Sequence, residues 1–341
     1  MLRLIDANLN RMSEGLRTLE DVARFLLDDA TLTAKLKSLR HGLAVEDASL
    51  KRNLLSARDS ADDVGAFAEA DSEAQRQDLP SIVTANARRV EESLRVLEEF
   101  AKLPEIMLES ARFKQARFAL YEIERELTAK ILRRQKRIAG LYVIIDTEAL
   151  RGRDQVEVAQ QAISGGAKAI QLRDKNRNKG EILSKARELK ALCVQSDVLF
   201  IVNDYLDIAI ASDADGLHLG QEDLPVSTAR QLIPIDRIIG CSTKTIAAAL
   251  QAQTDGADYV AVGSMYPTAS KTDTHVVGLE TLHQIREAIS IPIVAIGGID
   301  AKNAGEVMAA GADSVAVISA VLGAEDVEEA TRQLAQSMEV N

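Results

Sequence analysis

The sequence predicts an α/β protein in which an all-α helical domain precedes a C-terminal (β/α)8 TIM barrel. Residues 1–137 show apolar side chains at helical spacing and almost no strand pattern. Residues 138–341 instead alternate eight short apolar runs with helical stretches. Eight strands with helical connections over roughly two hundred residues suit a small barrel of this kind. We therefore expect two domains, 1–137 and 138–341.

The first domain is predicted to contain four helices, over residues 7–27, 31–55, 82–101 and 109–138. In the first helix, Leu9, Met12 and Leu16 begin a series of apolar residues that recur three and four apart. The polar stretch RDSADDVGAFAEADSEAQRQDLP separates the second helix from the third and predicts a loop. Cations, which suit a helix C-terminus, close the last helix before Gly140 starts a different pattern.

An internal repeat lies within this first domain. The segment ANLNRMSEGLRTLED, which begins at Ala7, returns as ANARRVEESLRVLEE, which begins at Ala85. We favour a pair of duplicated helices that pack through their leucine side chains. The alternative is a polar pocket or symmetric interface lined by Asn8, Arg11, Arg17, Asn86, Arg89 and Arg95. No pattern in the domain indicates an activity, and because duplicated helices can pack with pseudo-twofold symmetry, we expect a homo-oligomer.

The second domain supplies the predicted strands. The apolar runs are LYVIID (141–146), KAIQL (168–172), VLFIV (198–202), GLHLG (216–220), RIIGC (237–241), YVAVG (259–263), PIVAIGG (292–298) and SVAVIS (314–319). An open doubly wound sheet is the alternative, but it would usually carry a glycine-rich loop after its first strand. Here TEALRGRD follows LYVIID, so the barrel is favoured.

Polar residues collect where seven of these strands end, which is the edge that carries the active site of such barrels. They include Gln171, Arg173, Lys175, Asn203, Asp204, Asp223, Ser242, Thr268, Ser270, Lys271, Gly297, Gly298 and Ser319. A hydrophobic core has no use for polar side chains repeated along one rim. We therefore expect a functional site there rather than a decorated surface.

The residue types at this rim indicate two anion-binding places. Asp204 and Asp223 end adjacent strands and offer the hard oxygen ligands that Mg²⁺ prefers, although Asp223 could instead cap the following helix. Three cations, Arg173, Lys175 and Lys271, suit phosphate oxygens.

Two glycines and a serine follow strands seven and eight, where barrels of this fold commonly bind a phosphate. The four histidines are scattered, so zinc spacing is lacking, and no Ser-His-Asp or Cys-His pattern indicates covalent catalysis.

Composition excludes several classes of protein. Residues 1–137 carry 24 Lys and Arg against 24 Asp and Glu, whereas residues 138–341 carry 17 against 28, so the whole net charge of −11 lies in the second half. Neither half has the cationic excess of a nucleic-acid-binding protein. No apolar run is long enough to span a membrane, and two cysteines give no disulfide framework. We expect a cytoplasmic protein.

Five motifs in order carry a family resemblance: QLRDK, ND after the third strand, HLGQED, YPTASKTD and AIGGI. Over roughly residues 139–341 the chain resembles the thiamine-phosphate synthase family. The resemblance implies an Mg²⁺-dependent transferase with two phosphorylated heterocycles as its small-molecule partners. It would join 4-amino-2-methyl-5-hydroxymethylpyrimidine diphosphate to 4-methyl-5-(2-phosphoethyl)thiazole through a pyrimidine methylene cation, giving thiamine phosphate and pyrophosphate.

The same resemblance implies roles for individual residues. The pyrimidine diphosphate would be bound by Gln171, Leu172, Arg173, Asp174, Lys175, Asn203, Ser242 and Lys271, with Arg173, Lys175, Ser242 and Lys271 catalytic. The thiazole phosphate would be bound by Thr268, Ala269, Ser270, Gly298, Ile318 and Ser319. Mg²⁺ would be bound by Asp204 and Asp223. The family's usual Thr-x-Thr reads Thr268-Ala269-Ser270 here, which keeps the hydroxyl.

Three other functions stay open at this stage. A thiazole tautomerase on the same barrel would bind a thiazole phosphate but would need no diphosphate site. A phosphate-binding isomerase barrel would have no need for the paired Asp204 and Asp223. A regulatory or scaffold protein with an inactive barrel would not be expected to keep the complete rim.

Overall fold

The computed structural model describes residues 1–58, 76–267 and 276–338. The chain divides into two compact units, Met1–Arg134 and Gln135–Asn341. This boundary falls slightly before the one expected from sequence. Lys136 explains the difference, because its Nζ donates to the backbone and side-chain oxygens of Asp236 at 2.9 and 3.1 Å, within the second unit.

The first unit is helical. Its α-helices are α1 Leu2–Asp21, α2 Ala30–Gly42, α3 Ala48–Ser56, α4 Leu79–Phe100 and α5 Ser110–Arg134, with a π-helical turn at Val22–Leu26. The single helix predicted over 31–55 is wrong, since it is divided between α2 and α3. The break follows Gly42, and the side chain of Asp47 starts α3 by accepting a hydrogen bond from Leu50 N.

The repeated segments lie in α1 and α4, which pack against each other. Gly15 permits their close approach, because a Cβ there would lie 2.5 Å from Val90 Cγ2 and 3.2 Å from Asn86 O. The two halves of the repeat bury equivalent leucines, Leu16 and Leu94. The duplicated pattern therefore serves the core of this unit.

Two buried charged residues of the repeat also have partners inside the unit. Glu20 and Glu98 occupy equivalent positions and are only 3% and 5% exposed. Glu20 accepts a hydrogen bond from Arg40 at 2.8 Å, and Glu98 accepts one from Arg95 and one from Arg117, both at 3.0 Å. Such buried carboxylates require these partners, which favours the structural interpretation of the repeat.

The second unit is a closed parallel barrel whose eight strands are hydrogen-bonded in chain order. The strands are β1 Gly140–Asp146, β2 Ala169–Arg173, β3 Leu199–Asn203, β4 Gly216–Leu219, β5 Ile238–Thr243, β6 Tyr259–Gly263, β7 Ile293–Ile296 and β8 Ser314–Val317. The helices are α6 Gln155–Ser164, α7 Lys179–Gln195, α8 Leu206–Ala211, α9 Val226–Leu232, α10 Ile246–Thr254, α11 Gly278–Ala288, α12 Ala304–Ala309, α13 Ser319–Leu322 and α14 Val327–Ser337. The predicted fold class is confirmed.

The barrel strands are buried on both faces. One face packs against the helices, and the other fills the interior with Tyr142, Ile144, Ile201, Tyr259 and Ala316 among others. Gly240 makes room for a tyrosine ring, because a Cβ there would lie 2.0 Å from Tyr259 Cζ. The interior is therefore a packed core that closes the lower part of the barrel beneath the rim.

Candidate active site

The first rim feature is an ion pair between β1 and β2. Asp146 and Arg173 are register partners at the ends of these strands. Arg173 Nη1 donates to Asp146 Oδ2, while Asp146 Oδ1 accepts from the backbone N–H groups of Glu148 and Ala149 at 3.0 and 3.2 Å. Asp146 thus holds the guanidinium at the rim. The sequence interpretation missed it, although the apolar run LYVIID ends in this acid.

The second feature is a pair of carboxylates. The side chains of Asp204 and Asp223 lie close together after strands β3 and β4. Asp204 has a positive φ of 63°, and its N–H donates to His218 O at 2.8 Å, which fixes the turn after β3. Asp223 Oδ2 accepts from Gly220 N at 2.7 Å. Asp223 does not cap α9, where Pro225 occupies the N-cap position.

The electrostatics of the pair favour a bound cation. Burial, followed by the contact with Asp223, raises the pKa of Asp204 above its ordinary value. Lys175 offsets only part of this effect, with its Nζ 3.4 Å from Asp204 Oδ2. Within the described residues no group of three or more His, Cys, Asp or Glu side chains is placed for a metal. Two carboxylates nevertheless suit Mg²⁺, which needs few protein ligands.

Because folding raises the pKa of Asp204, the folded chain favours the protonated form of this group. In metal-free buffer at neutral pH, Asp204→Asn should therefore raise the thermal unfolding midpoint. The gain should shrink as pH falls through the raised pKa. Asp207→Asn is the control, since its contact with Lys179 lowers the pKa of Asp207 and the change should not stabilise. Melting curves across pH that show Asp204→Asn destabilised at neutral pH would contradict this account.

The residues expected around the pyrimidine diphosphate divide between two sides of their strands. Gln171 and Asn203 are buried, at 3% and 8% exposure, and alternate with side chains that face the helices. Leu172 lies in the core between strands and helices, so its side chain is directed away from the barrel interior. Asp174 is turned into its own loop, where its Oδ1 accepts from the backbone N–H groups of Asn176 and Arg177, both at 3.1 Å.

Beneath the rim, five polar side chains form a continuous hydrogen-bonded chain. Gln171 Nε2 donates to Tyr142 OH at 2.7 Å, and the Tyr142 and Tyr259 hydroxyls are 3.2 Å apart. His218 Nδ1 lies 3.1 Å from Tyr259 OH, and its Nε2 lies 3.0 Å from Ser242 Oγ. Burial lowers the pKa of His218 to about 4, so the imidazole is neutral at physiological pH. Sequence reasoning missed His218 and both tyrosines.

The opposite side of the rim carries the predicted phosphate loops. Gly297 and Gly298 have φ values of 99° and 67°. A Cβ on Gly298 would lie 2.7 Å from Pro267 O and 2.8 Å from Tyr266 O, so only glycine fits against this backbone. Asn303 Nδ2 donates to Gly298 O at 3.0 Å and holds the turn.

Two further predicted residues lie near this turn. Ile318 and Ser319 join β8 to the short helix α13. Strands β7 and β8 are adjacent in the barrel, so these residues follow the strand next to the Gly297-Gly298 turn. Thr268, Ala269, Ser270 and Lys271 lie outside the described residues.

Comparisons with known proteins find relatives of both parts of the chain. Residues 141–321 match the family described as thiamine monophosphate synthase, and residues 3–126 match the ThiD2 family. A thiamine-phosphate synthase from Synechocystis sp. is 40% identical over 97% of this chain and 94% of its own length. One from Methanospirillum hungatei is 51% identical over 58% of this chain and 97% of its own length.

A solved structure extends the likeness to the fold. Thiamine phosphate pyrophosphorylase from Pyrococcus furiosus is 45% identical, with a TM-score of 0.56, over 61% of this chain and 98% of that protein. No helix in the described part of the chain is long and apolar enough to cross a membrane. With a family match across the barrel and relatives that align along nearly the whole sequence, the chain belongs to the thiamine-phosphate synthase family.

Proposed function

We propose that the barrel rim joins 4-amino-2-methyl-5-hydroxymethylpyrimidine diphosphate to 4-methyl-5-(2-phosphoethyl)thiazole, with Mg²⁺ bound by Asp204 and Asp223. The observation that carries the proposal is the carboxylate pair beside Lys175, because a buried pair of like charges needs a cation. Arg173 and Lys175 provide further positive charge for a diphosphate. The Gly297-Gly298 turn, with Ile318 and Ser319, is the proposed place for the thiazole phosphate.

The proposed reaction breaks the bond between the pyrimidine methylene carbon and the diphosphate oxygen, and the electron pair leaves with pyrophosphate. Arg173, held in place by Asp146, and Lys175 stabilise the negative charge that develops on the leaving group. Mg²⁺ would neutralise phosphate oxygens at the same place. Gln171 and Ser242 hold the pyrimidine ring, which keeps the methylene carbon in line with the thiazole nitrogen.

The second half of the reaction needs no proton transfer at the attacking atom. The thiazole nitrogen carries no proton and forms the new carbon–nitrogen bond directly with the methylene carbon. A general base is therefore unnecessary, which agrees with the lowered pKa of the buried His218, since burial makes its imidazole a weak proton acceptor. The residues at the rim are accordingly binders of anions rather than acid–base groups.

A thiazole tautomerase is the alternative function, since it would use the phosphate side of the same rim. The full-length chain with Mg²⁺ should be incubated with the pyrimidine diphosphate alone, the thiazole phosphate alone, and both together. Chromatography should show thiamine phosphate only in the third sample. Isomerisation of a thiazole phosphate without any condensation would favour the tautomerase.

We further propose that the barrel unit performs the reaction without the helical unit. The Pyrococcus furiosus protein is matched over 98% of its length by 61% of this chain, so a pyrophosphorylase can be built at about the size of the barrel. A chain that begins at Gln135 keeps the contacts of Lys136 with Asp236 and should retain kcat/KM within about threefold.

Light scattering on the same chain tests whether the helical unit supports a homo-oligomer. Without residues 1–134 we expect fewer subunits in each assembly. An unchanged number of subunits would contradict that role. A folded but inactive barrel would show that the helical unit contributes to catalysis.

A further inference from the structure

Given the contact from Gln171, one direction of donation along the five-residue polar chain beneath the rim provides an acceptor for each tyrosine and imidazole proton. Gln171 donates to Tyr142 through its amide nitrogen, so the Tyr142 hydroxyl acts as acceptor there and is free to donate to Tyr259. The Tyr259 hydroxyl then donates to Nδ1 of His218. Since a neutral imidazole carries one proton, that proton lies on Nε2 and is donated to Ser242 Oγ.

The two ends of the chain consequently present opposite hydrogen-bonding groups. Gln171 uses its nitrogen within the chain, which leaves its Oε1 as the acceptor. Ser242 accepts from His218, which leaves its hydroxyl proton as the donor. A 4-aminopyrimidine matches this arrangement, because its amino group donates and the neighbouring ring nitrogen accepts. A 4-oxo analogue carries the reverse pattern, a carbonyl acceptor beside a ring N–H donor.

The position of Ser242 shows which nitrogen of His218 lies on the rim side. Gly240 on β5 is the register partner of Tyr259, and Ser242 is the next inward-facing residue of β5 toward the rim. Because Nε2 of His218 contacts Ser242, it is the nitrogen on the rim side.

We infer that Tyr142 and Tyr259 are positioning residues that, by setting this direction, make the site select an aminopyrimidine diphosphate over its oxo analogue. The inference rests on the proposed function and adds the source of its specificity. Tyrosine hydroxyls in a core are costly unless paired. Here the two hydroxyls lie within hydrogen-bond distance of each other, and Tyr142 also contacts Gln171 while Tyr259 also contacts His218. Phenylalanine would fill the same space without linking Gln171 to Ser242.

Two measurements test the inference, and the first needs no turnover. Nitrogen-15 NMR of the full-length chain, recorded at about pH 8 where histidine is ordinarily neutral, should show His218 as the Nε2–H tautomer. The signal is assigned by its loss in His218→Gln. An Nδ1–H tautomer would overturn the inference, whether or not the chain makes thiamine phosphate.

The second measurement is the ratio of kcat/KM for the amino substrate to that for the oxo analogue. Tyr259→Phe should lower this ratio at least about tenfold, corresponding to one net hydrogen bond, without changing KM for the thiazole phosphate. Tyr142→Phe breaks a different link and should do the same. Tyr121→Phe, which removes a hydroxyl bonded to Arg117 in the helical unit, is the control.

A purely structural role predicts a different result. Either barrel variant would then lower the unfolding temperature while the substrate ratio stayed at the wild-type value, and that outcome would overturn the inference. If the wild-type protein condenses neither pyrimidine, the proposed function fails. The tautomer of His218 still decides whether the five hydrogen-bonded side chains donate in the stated direction.

Discussion

Asp204→Asn and Asp223→Asn should each abolish Mg²⁺-dependent formation of thiamine phosphate while the fold is retained. Removing one carboxylate weakens the cation that stabilises the leaving pyrophosphate, an effect of several kcal/mol. We expect kcat/KM to fall by roughly three orders of magnitude, as each factor of ten corresponds to about 1.4 kcal/mol. Steady-state rates over a series of Mg²⁺ concentrations measure the loss.

Asp207→Asn is the matched control for this experiment. Asp207 lies on α8 close in sequence to Asp204, but its carboxylate pairs with Lys179 at 2.6 Å. This change should leave kcat/KM and the Mg²⁺ dependence unaltered. Near-wild-type activity of Asp204→Asn or Asp223→Asn at low Mg²⁺ would show that the ligand assignment is wrong.

Gly298→Ala should impair use of the thiazole phosphate by roughly two orders of magnitude in kcat/KM. The added Cβ would lie within 2.8 Å of backbone oxygens of Tyr266 and Pro267, so the turn after β7 must shift. Loss of well-placed phosphate contacts commonly costs a few kcal/mol. The KM for the pyrimidine diphosphate should change little, because Arg173 and Lys175 lie at and just after the end of β2, away from this turn.

The control for this variant shows whether a loss of activity comes from the close contact of the added Cβ or only from placing alanine at a positive φ. Gly256 also has a positive φ, of 95°, but a Cβ there would meet nothing closer than 3.5 Å, and the residue precedes β6 at the opposite end of the barrel. Gly256→Ala should lower stability without affecting either substrate. Equal losses for both substrates in Gly298→Ala would argue against two separate anion sites.

The sequence predicted the barrel and its functional rim because polar residues interrupt apolar runs at the same end of successive strands. It did not predict which side chains face inward. Barrel strands are buried on both faces, so their apolar runs carry no alternation to set the phase. The family resemblance grouped Leu172 and Asp174 with Gln171, whereas the structure directs these two away from the barrel interior.

The interior network was missed for a related reason. Tyr142, Tyr259 and His218 lie within runs that otherwise look like ordinary core strands, and their polar atoms meet only when the barrel closes. The space for Tyr259 depends on the absence of a side chain at Gly240, on the neighbouring strand. Such complementarity between separate strands leaves no local pattern in the sequence.

The break between α2 and α3 shows the limit of periodicity alone. Apolar spacing continues across the predicted helix 31–55, but Gly42 and the capping side chain of Asp47 end one helix and begin another. Capping residues outweighed the periodic pattern at this point. The predicted barrel strands had no such competing signal, and all eight were confirmed.

The central claim is that the rim condenses two phosphorylated heterocycles and releases pyrophosphate. Phosphorus-31 NMR of the full-length chain with both substrates and Mg²⁺ tests it most directly. The account predicts that thiamine phosphate and inorganic pyrophosphate appear in equal amounts, at a rate that falls together for both in Asp223→Asn. Consumption of the diphosphate without thiamine phosphate, or no reaction of the folded chain with both substrates present, would contradict it.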